Sequence, residues 1–133
     1  MDAAEAMGSS PPLVFVVDDD ASVRKALRRV LQNHGIITET YGSAEDFLDL
    51  TQGRRSGCLI LDAHLPGMSG LELLSRLLAT HCEMRVLFIS GDLNERLRQK
   101  ALIQGAIGFL SKPFNDETLL EAVSLALQIA FSN

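Results

Sequence analysis

The chain has 133 residues, of which 47% are hydrophobic and 22% are charged, and its formal net charge at pH 7 is -5. This length suits one domain with a full core, and the acidic balance argues against a bare nucleic-acid binder, which needs a basic face. No apolar run approaches the roughly 20 residues that span a bilayer, and the N-terminus lacks the pattern of a secretory signal, so we expect a cytoplasmic protein that is not bound to a membrane.

The N-terminal part of the chain predicts a tail, a strand and a helix. Residues 1–12 are mostly Ala, Gly, Ser and Pro without periodicity, which predicts a flexible tail, and residues 13–133 are predicted to form one domain. Leu13–Val17 has no polar alternation, which is typical of a strand buried on both faces. Asp18 and Asp19 follow this strand, and Asp20 is predicted to cap a helix with inward Val23, Leu27, Val30 and Leu31.

The middle of the chain predicts an edge strand and a central strand. Ile36–Tyr41 is rich in β-branched residues but has a Thr-Glu-Thr interruption, which favours an edge position. Ser43 is predicted to open a short helix with Phe47 and Leu48 inward. An apolar run then ends on the single carboxylate of Asp62 and predicts the central strand, and the helix after it is predicted to bury Leu71, Leu74 and Leu78.

Two more strand–helix units complete the predicted order. Arg85–Ser90 is predicted as the fourth strand, and Asp92 and Glu95 are predicted to cap the next helix, which buries Leu93, Leu97 and Ala101. Ala106–Leu110 is predicted as the fifth strand, before Ser111, Lys112, Pro113 and Phe114. Asn115 is predicted to cap the last helix, whose inner stripe is Leu120, Val123, Leu127 and Ala130.

Five strands that alternate with five helices predict a doubly wound α/β domain with a five-stranded parallel sheet. Four strands end on polar residues, namely Asp18 with Asp19, then Asp62, Ser90 and Lys112. Because the carboxyl ends of parallel strands share one edge of the sheet, we expect these side chains to share a pocket.

The chemistry of that pocket favours phosphoryl transfer. Three carboxylates without His or Cys ligands suit a hard cation, and Mg²⁺ is the best candidate. A carboxylate such as that of Asp62 can itself be the nucleophile and form an aspartyl phosphate. Lys112 and Mg²⁺ would neutralise charge, and Ser90 could donate a hydrogen bond to a phosphoryl oxygen.

Four stretches, taken together and in order, resemble a response-regulator receiver domain of two-component signalling. They are Val16–Arg24, Leu61–Gly70, Phe88–Gly91 and Phe109–Phe114, and the resemblance extends from Leu13 to about Ala130. Ser43–Leu48 and Pro66–Leu73 are similar to the FixJ-type subgroup. The resemblance implies a flavodoxin-like receiver fold with strand order 2-1-3-4-5.

The same resemblance implies a role for each pocket residue. Asp62 matches the phosphoacceptor, and Asp18 and Asp19 match the acidic pair that holds Mg²⁺ together with Asp62 and the backbone carbonyl of His64. Lys112 matches the invariant lysine, which in this family often precedes a cis peptide to proline. Ser90 and Phe109 match the switch hydroxyl and the switch aromatic. His64 and Asp92 lie at positions that vary among receivers and tune phosphate lifetime.

Other interpretations stay open for single residues and for the whole chain. Phe109 is also typical of a core residue, His64 of an exposed loop and Asp92 of a helix cap. A haloacid-dehalogenase-type enzyme also uses an aspartyl phosphate, but it needs a second Asp where this chain has His64. A flavodoxin-like cofactor binder needs a Ser/Thr/Gly-rich phosphate loop after the first strand, where the three acids Asp18, Asp19 and Asp20 would repel a phosphate.

We therefore expect a phosphoacceptor that assists its own phosphorylation and dephosphorylation and is otherwise not an enzyme. A sensor histidine kinase would donate the phosphoryl group, and the resemblance to FixJ-type proteins makes transcription the expected output, with no direct nucleic-acid binding by this segment. Phosphorylation is expected to change the surface formed by the fourth helix, the fifth strand and the fifth helix. That surface carries opposite charges that could pair in a weak homodimer, namely Arg96, Arg98 and Lys100 against Asp116, Glu117 and Glu121.

Overall fold

The computed structural model describes residues 13–51, 56–80, 83–92 and 94–128. The predicted tail at residues 1–12 lies outside the described residues, as do Leu93 and Ala130 of the predicted helix faces. Ten elements alternate along the described chain: β1 (Leu13–Val17), α1 (Ala21–Gln32), β2 (Ile37–Tyr41), α2 (Ala44–Leu50), β3 (Cys58–Asp62), α3 (Gly70–Ala79), β4 (Arg85–Ser90), α4 (Glu95–Gln104), β5 (Gly108–Ser111) and α5 (Asp116–Leu127).

All strand pairs are parallel, and the sheet order is β2-β1-β3-β4-β5, which confirms the predicted fold class and the edge position of β2. The register aligns the carboxyl ends of the strands, since Val17 pairs with Leu61, Asp62 with Ile89 and Ser90 with Ser111. The residues that follow each strand are therefore brought to one edge of the sheet.

Alternate residues of the strands are buried in two hydrophobic clusters, one on each face of the sheet. Leu59 and Leu61 of β3 belong to the cluster beneath α2, α3 and α4, whereas Cys58 and Ile60 belong to the cluster beneath α1 and α5. Every residue of β3 is buried, which explains why this strand reads as an unbroken apolar run.

The helix starts follow the predicted caps with one exception. The side chains of Asp20, Ser43 and Asn115 accept backbone N–H groups at the starts of α1, α2 and α5. The prediction for α4 was wrong, because Asn94 is its cap and accepts the N–H groups of Arg96 and Leu97. Asp92 lies two residues before that cap, and its carboxylate is directed toward His64 instead.

The buried faces of α3 and α5 differ from the predicted ones. In α3 the buried leucines are Leu73, Leu74 and Leu77, while Leu78 is 46% exposed. In α5 the fully buried stripe is Leu119, Val123 and Ala126. β5 begins at Gly108 and not at Ala106. Within the described ranges, no helix combines the length and the apolar character that a membrane crossing requires.

Candidate phosphoacceptor and metal site

Asp18 lies directly after β1 and is completely buried. Its Oδ1 accepts the N–H of Asp20 at 2.9 Å, and its backbone carbonyl accepts a hydrogen bond from Arg24 Nη1 at 2.6 Å. The backbone N–H of Asp18 donates to the carbonyl of Tyr41 at 3.1 Å, at the end of the neighbouring strand β2. Three hydrogen bonds therefore fix the acidic turn after β1.

Asp62 ends the central strand and is only 6% exposed. Its Oδ1 accepts the backbone N–H of His64 at 3.0 Å, and its Oδ2 lies 3.5 Å from Lys112 Nζ. Burial raises the pKa of Asp62, and the charge of Asp18 raises it further, while the His64 N–H and Lys112 act in the opposite direction. The two carboxylate oxygens consequently have different surroundings, since Oδ1 faces the N–H of His64 and Oδ2 faces the ammonium group of Lys112.

Lys112 follows β5 and reaches both buried acids. Its Nζ lies 2.8 Å from Asp18 Oδ2 and 3.5 Å from Asp62 Oδ2. Burial alone would lower the pKa of Lys112, but the hydrogen bond and the charge of Asp18, together with the charge of Asp62, raise it, so the ammonium form is favoured. The Lys112–Pro113 peptide is cis, as the resemblance implies, and the backbone N–H of Lys112 donates to the carbonyl of Ser90 at 2.7 Å.

The acids form a compact donor set for a cation. One ligand atom each from Asp18, Asp19 and Asp62 lies within 4.8 Å of the others, and Asp19 is the exposed member of the group. The set contains only carboxylate oxygens, which matches the preference of Mg²⁺ and disfavours softer metals that select Cys or His. These residues fit a magnesium ion, and the local excess of negative charge favours any divalent cation over none.

The two predicted switch residues lie on adjacent strands, Ser90 at the end of β4 and Phe109 as the second residue of β5. Ser90 is completely buried, and its Oγ accepts the N–H of Asp92 at 3.0 Å. Phe109 is half-buried at the rim of the core cluster beneath α4, and it borders a cavity of about 140 Å³ together with Asn94, Glu95, Arg98 and Ser111. Core packing and a mobile ring are therefore both compatible with the position of Phe109.

The side chain of His64 points out of the pocket. It is 57% exposed, and its Nε2 lies 3.6 Å from Asp92 Oδ2 across the pocket mouth. The expectation of an exposed loop side chain is therefore met, whereas the expectation that Asp92 caps α4 is not.

Two residues with contacts to this region were not singled out from the sequence. Arg24 lies in the first turn of α1, and its guanidinium donates to the carbonyl of Asp18. Glu45 lies in the first turn of α2, and its Oε2 accepts the backbone N–H of Met68, 23 residues later, at 2.9 Å. The contact from Glu45 to Met68 has no local sequence signal, whereas the place of Arg24 in the first turn after an acidic run was a local clue to its contact with Asp18.

Comparison with known proteins gives a consistent result. The sequence profile of the response regulator receiver domain matches residues 14–124. Among curated relatives, Nodulation protein W of Bradyrhizobium diazoefficiens is 38% identical over 90% of this chain and 53% of its own length. Transcriptional regulatory protein FixJ of Azorhizobium caulinodans is 39% identical over 86% of this chain and 54% of its own length.

The solved structures include a response regulator receiver protein from Burkholderia phymatum. It is 42% identical, its TM-score is 0.81, and the match covers 92% of this chain and 99% of that chain. The match therefore covers nearly all of that receiver protein, whereas the chain spans about half the length of the curated relatives it matches.

Proposed function

The chain belongs to the response regulator receiver domain family of two-component systems, and from that premise we propose that it accepts a phosphoryl group on Asp62 from a sensor histidine kinase. One observation carries this proposal. The carboxylate of Asp62, alone at the end of the central strand, lies 3.5 Å from Lys112 Nζ and within the cluster that it forms with Asp18 and Asp19.

The transfer step follows from the two environments of the Asp62 oxygens. Oδ2 attacks the phosphorus of a phosphohistidine, a new O–P bond forms, and the P–N bond breaks with its electron pair returning to the imidazole, which takes up a proton. His64 N–H holds Oδ1 and so fixes the rotation of the carboxylate. Lys112 supplies positive charge to the phosphoryl oxygens from its position beside Oδ2.

The carboxylates of Asp18, Asp19 and Asp62, with the backbone carbonyl of His64 that the resemblance adds, are the proposed Mg²⁺ ligands. When bound, Mg²⁺ neutralises the phosphoryl oxygens and lowers the repulsion between them and the acids. In the structure, Lys112 is the positive partner of both Asp18 and Asp62. Water is limited on the inner side of the pocket because Asp18 is completely buried.

The output of the domain is proposed to begin at Ser90. Reorientation of its hydroxyl toward the phosphoryl group would break the Oγ contact with the N–H of Asp92 and so perturb the loop that leads into α4. The cavity beside Phe109 lies at that start of α4 and gives the ring space to move. Phosphorylation thereby biases a two-state surface formed by α4, β5 and α5.

We further propose that the altered surface forms a weak, salt-sensitive homodimer. Exposed cations on α4 would face exposed acids on α5 of a second copy across a two-fold axis. Arg98 already pairs with Glu95 on its own helix at 3.0 Å, so Arg96 and Lys100 are the main cations available for this contact. Transcription in the cytoplasm is the proposed output, by analogy with the transcriptional regulatory protein FixJ named above, and the domain acts as phosphoacceptor and not as an enzyme on other substrates.

Incubation with a small phosphodonor and Mg²⁺ tests the acceptor assignment. Intact-mass spectrometry should show one added phosphoryl group that is lost in base, and Asp62→Asn should abolish it. Asp49→Asn is the matched control, because it removes an exposed acid of α2 that has no role in the pocket and should leave the stoichiometry unchanged. Labelling of Asp62→Asn to the same extent as wild type would reject Asp62 as the acceptor.

A further inference from the structure

We propose that Glu45 is a positioning residue for phosphoryl transfer, acting through the loop between β3 and α3; the inference rests on the function proposed above. Glu45 lies in the first turn of α2, and its Oε2 accepts the backbone N–H of Met68 at 2.9 Å. Met68 belongs to the loop that follows Asp62 and ends at the Ser69 cap of α3.

The conformation of the loop at Gly67 leaves space for the Glu45 carboxylate. Gly67 has a φ of +75°, and a Cβ at that position would lie only 2.7 Å from Glu45 Oε2. Glycine at residue 67 thus provides both the left-handed turn and the space in which the carboxylate reaches the next N–H. The same N–H lowers the pKa of Glu45, with a smaller contribution from Arg76, so the ionised acceptor is the favoured form.

Both ends of the loop are fixed by other contacts. At the first end, Ala63 N–H donates to the carbonyl of Ile89 in β4, and His64 N–H donates to Asp62 Oδ1. At the other end, Ser69 and Glu72 form a reciprocal capping box. Glu45 holds the turn between these ends from a separate element, α2, which is anchored by the buried Ala44 and Phe47.

Loss of the hydrogen bond between Glu45 and Met68 would affect Asp62 through the main chain of the loop. If the turn at Gly67 shifts, the short segment before it shifts as well, and with it the His64 N–H that sets the rotation of the Asp62 carboxylate. Displacement of a reacting group by about 1 Å can reduce a rate by roughly a hundredfold. Loss of the one hydrogen bond at Met68, farther along the loop from Asp62, should have a smaller effect, on the order of tenfold.

The test compares Glu45→Ala with Glu45→Gln, whose side-chain carbonyl can accept the same N–H. We expect the rate of phosphorylation by a small phosphodonor to fall on the order of tenfold in Glu45→Ala and to stay within about twofold of wild type in Glu45→Gln. Asp49→Ala, which removes an exposed acid from the same helix, is the control and should not change the rate. A wild-type rate in Glu45→Ala, or equal losses in the Ala and Gln variants, would overturn the proposal.

Amide hydrogen exchange separates this inference from the function on which it rests. In Glu45→Ala, exchange should accelerate about tenfold or more at Met68 and also measurably at His64, and Glu45→Gln should restore protection at both. Acceleration confined to Met68 would show that the contact does not reach the acceptor, and it would overturn the proposal. If the wild-type protein takes no phosphoryl group at all, the proposed function fails, while the exchange at His64 still decides whether Glu45 positions the loop.

Discussion

Replacement of Gly70 by Ala should damage both stability and the acceptor site. Gly70 is the first residue of α3, and a Cβ there would lie 2.6 Å from the carbonyl oxygen of Asp62 and 2.8 Å from Cε1 of Phe88. The first distance is roughly 0.7 Å shorter than the shortest ordinary C–H···O contact of about 3.3 Å. Neither neighbour can move easily, since one is main chain of the central strand and the other is a completely buried ring.

The expected magnitude follows from two opposing effects. Overpacking of this kind lowers the free energy of unfolding by about 1–3 kcal/mol. Alanine is favoured over glycine within a helix by up to about 1 kcal/mol, and this preference offsets part of the loss. We expect a net destabilisation of about 1 kcal/mol, which for a chain of this length is a decrease of roughly 4 °C in Tm.

Gly91→Ala is the matched control for this experiment. Gly91 follows β4 at the same edge of the sheet, and a Cβ there would meet no atom within 4 Å. Its Tm should be equal to that of wild type or slightly higher, because alanine restricts the unfolded chain more than glycine does. Thermal unfolding followed by circular dichroism gives both values, and phosphorylation measured well below Tm should be slower in Gly70→Ala. A Tm of Gly70→Ala at or above the wild-type value would refute the argument from close packing.

Three further predictions concern the pocket. Mg²⁺ at about 100 times Kd should stabilise the wild-type protein by about 2.7 kcal/mol in calorimetry; Asp19→Ala should lose this effect together with Mg²⁺-dependent phosphorylation, and equal insensitivity of both proteins would mean that the acids bind no metal. Because the folded-state pKa of Asp62 is raised, its protonation favours the folded state below the unfolded value of about 3.9, and that contribution is lost as pH rises through the raised pKa. Metal-free Asp62→Asn should therefore unfold at a higher temperature than wild type at pH 7, and this difference in Tm should shrink as the pH falls through the raised pKa of Asp62. The same difference in Tm at pH 7 and in acid would contradict the raised pKa of Asp62. Ser90→Ala should accept phosphate yet fail to dimerise in analytical ultracentrifugation with beryllofluoride, whereas a strictly monomeric activated wild type would reject the dimer.

Much of the fold was predictable because a parallel sheet imposes a simple pattern. Leu13–Val17 and the run ending at Asp62 lack polar alternation since they are buried on both faces, and the acids stand where that burial ends. Asp18, Asp62 and Lys112 were predicted to meet because the carboxyl ends of parallel strands share one edge of the sheet, and the structure places them within hydrogen-bond reach.

The errors occur where several residues satisfy the same pattern. α3 has leucine at half of its ten positions, so helical spacing permits more than one inner face, and only packing against the sheet selects Leu73, Leu74 and Leu77. Asp92 and Asn94 are both good caps, and the backbone geometry of Asn94 decides between them. The contact from Glu45 to Met68 joins residues 23 apart, and no local pattern encodes such a distance.

The hydrogen bond from Lys112 N–H to the carbonyl of Ser90 gives this domain a natural spectroscopic reporter. The bond joins the main chain of the residue that contacts both buried acids to the main chain of the residue proposed to respond to them. A side-chain rearrangement that leaves the backbone in place would preserve the protection of that one amide from solvent exchange. Separation of the two strand ends would accelerate its exchange. A single NMR resonance can thus distinguish a rotameric response from a backbone one, without a fluorophore and without knowledge of the partner.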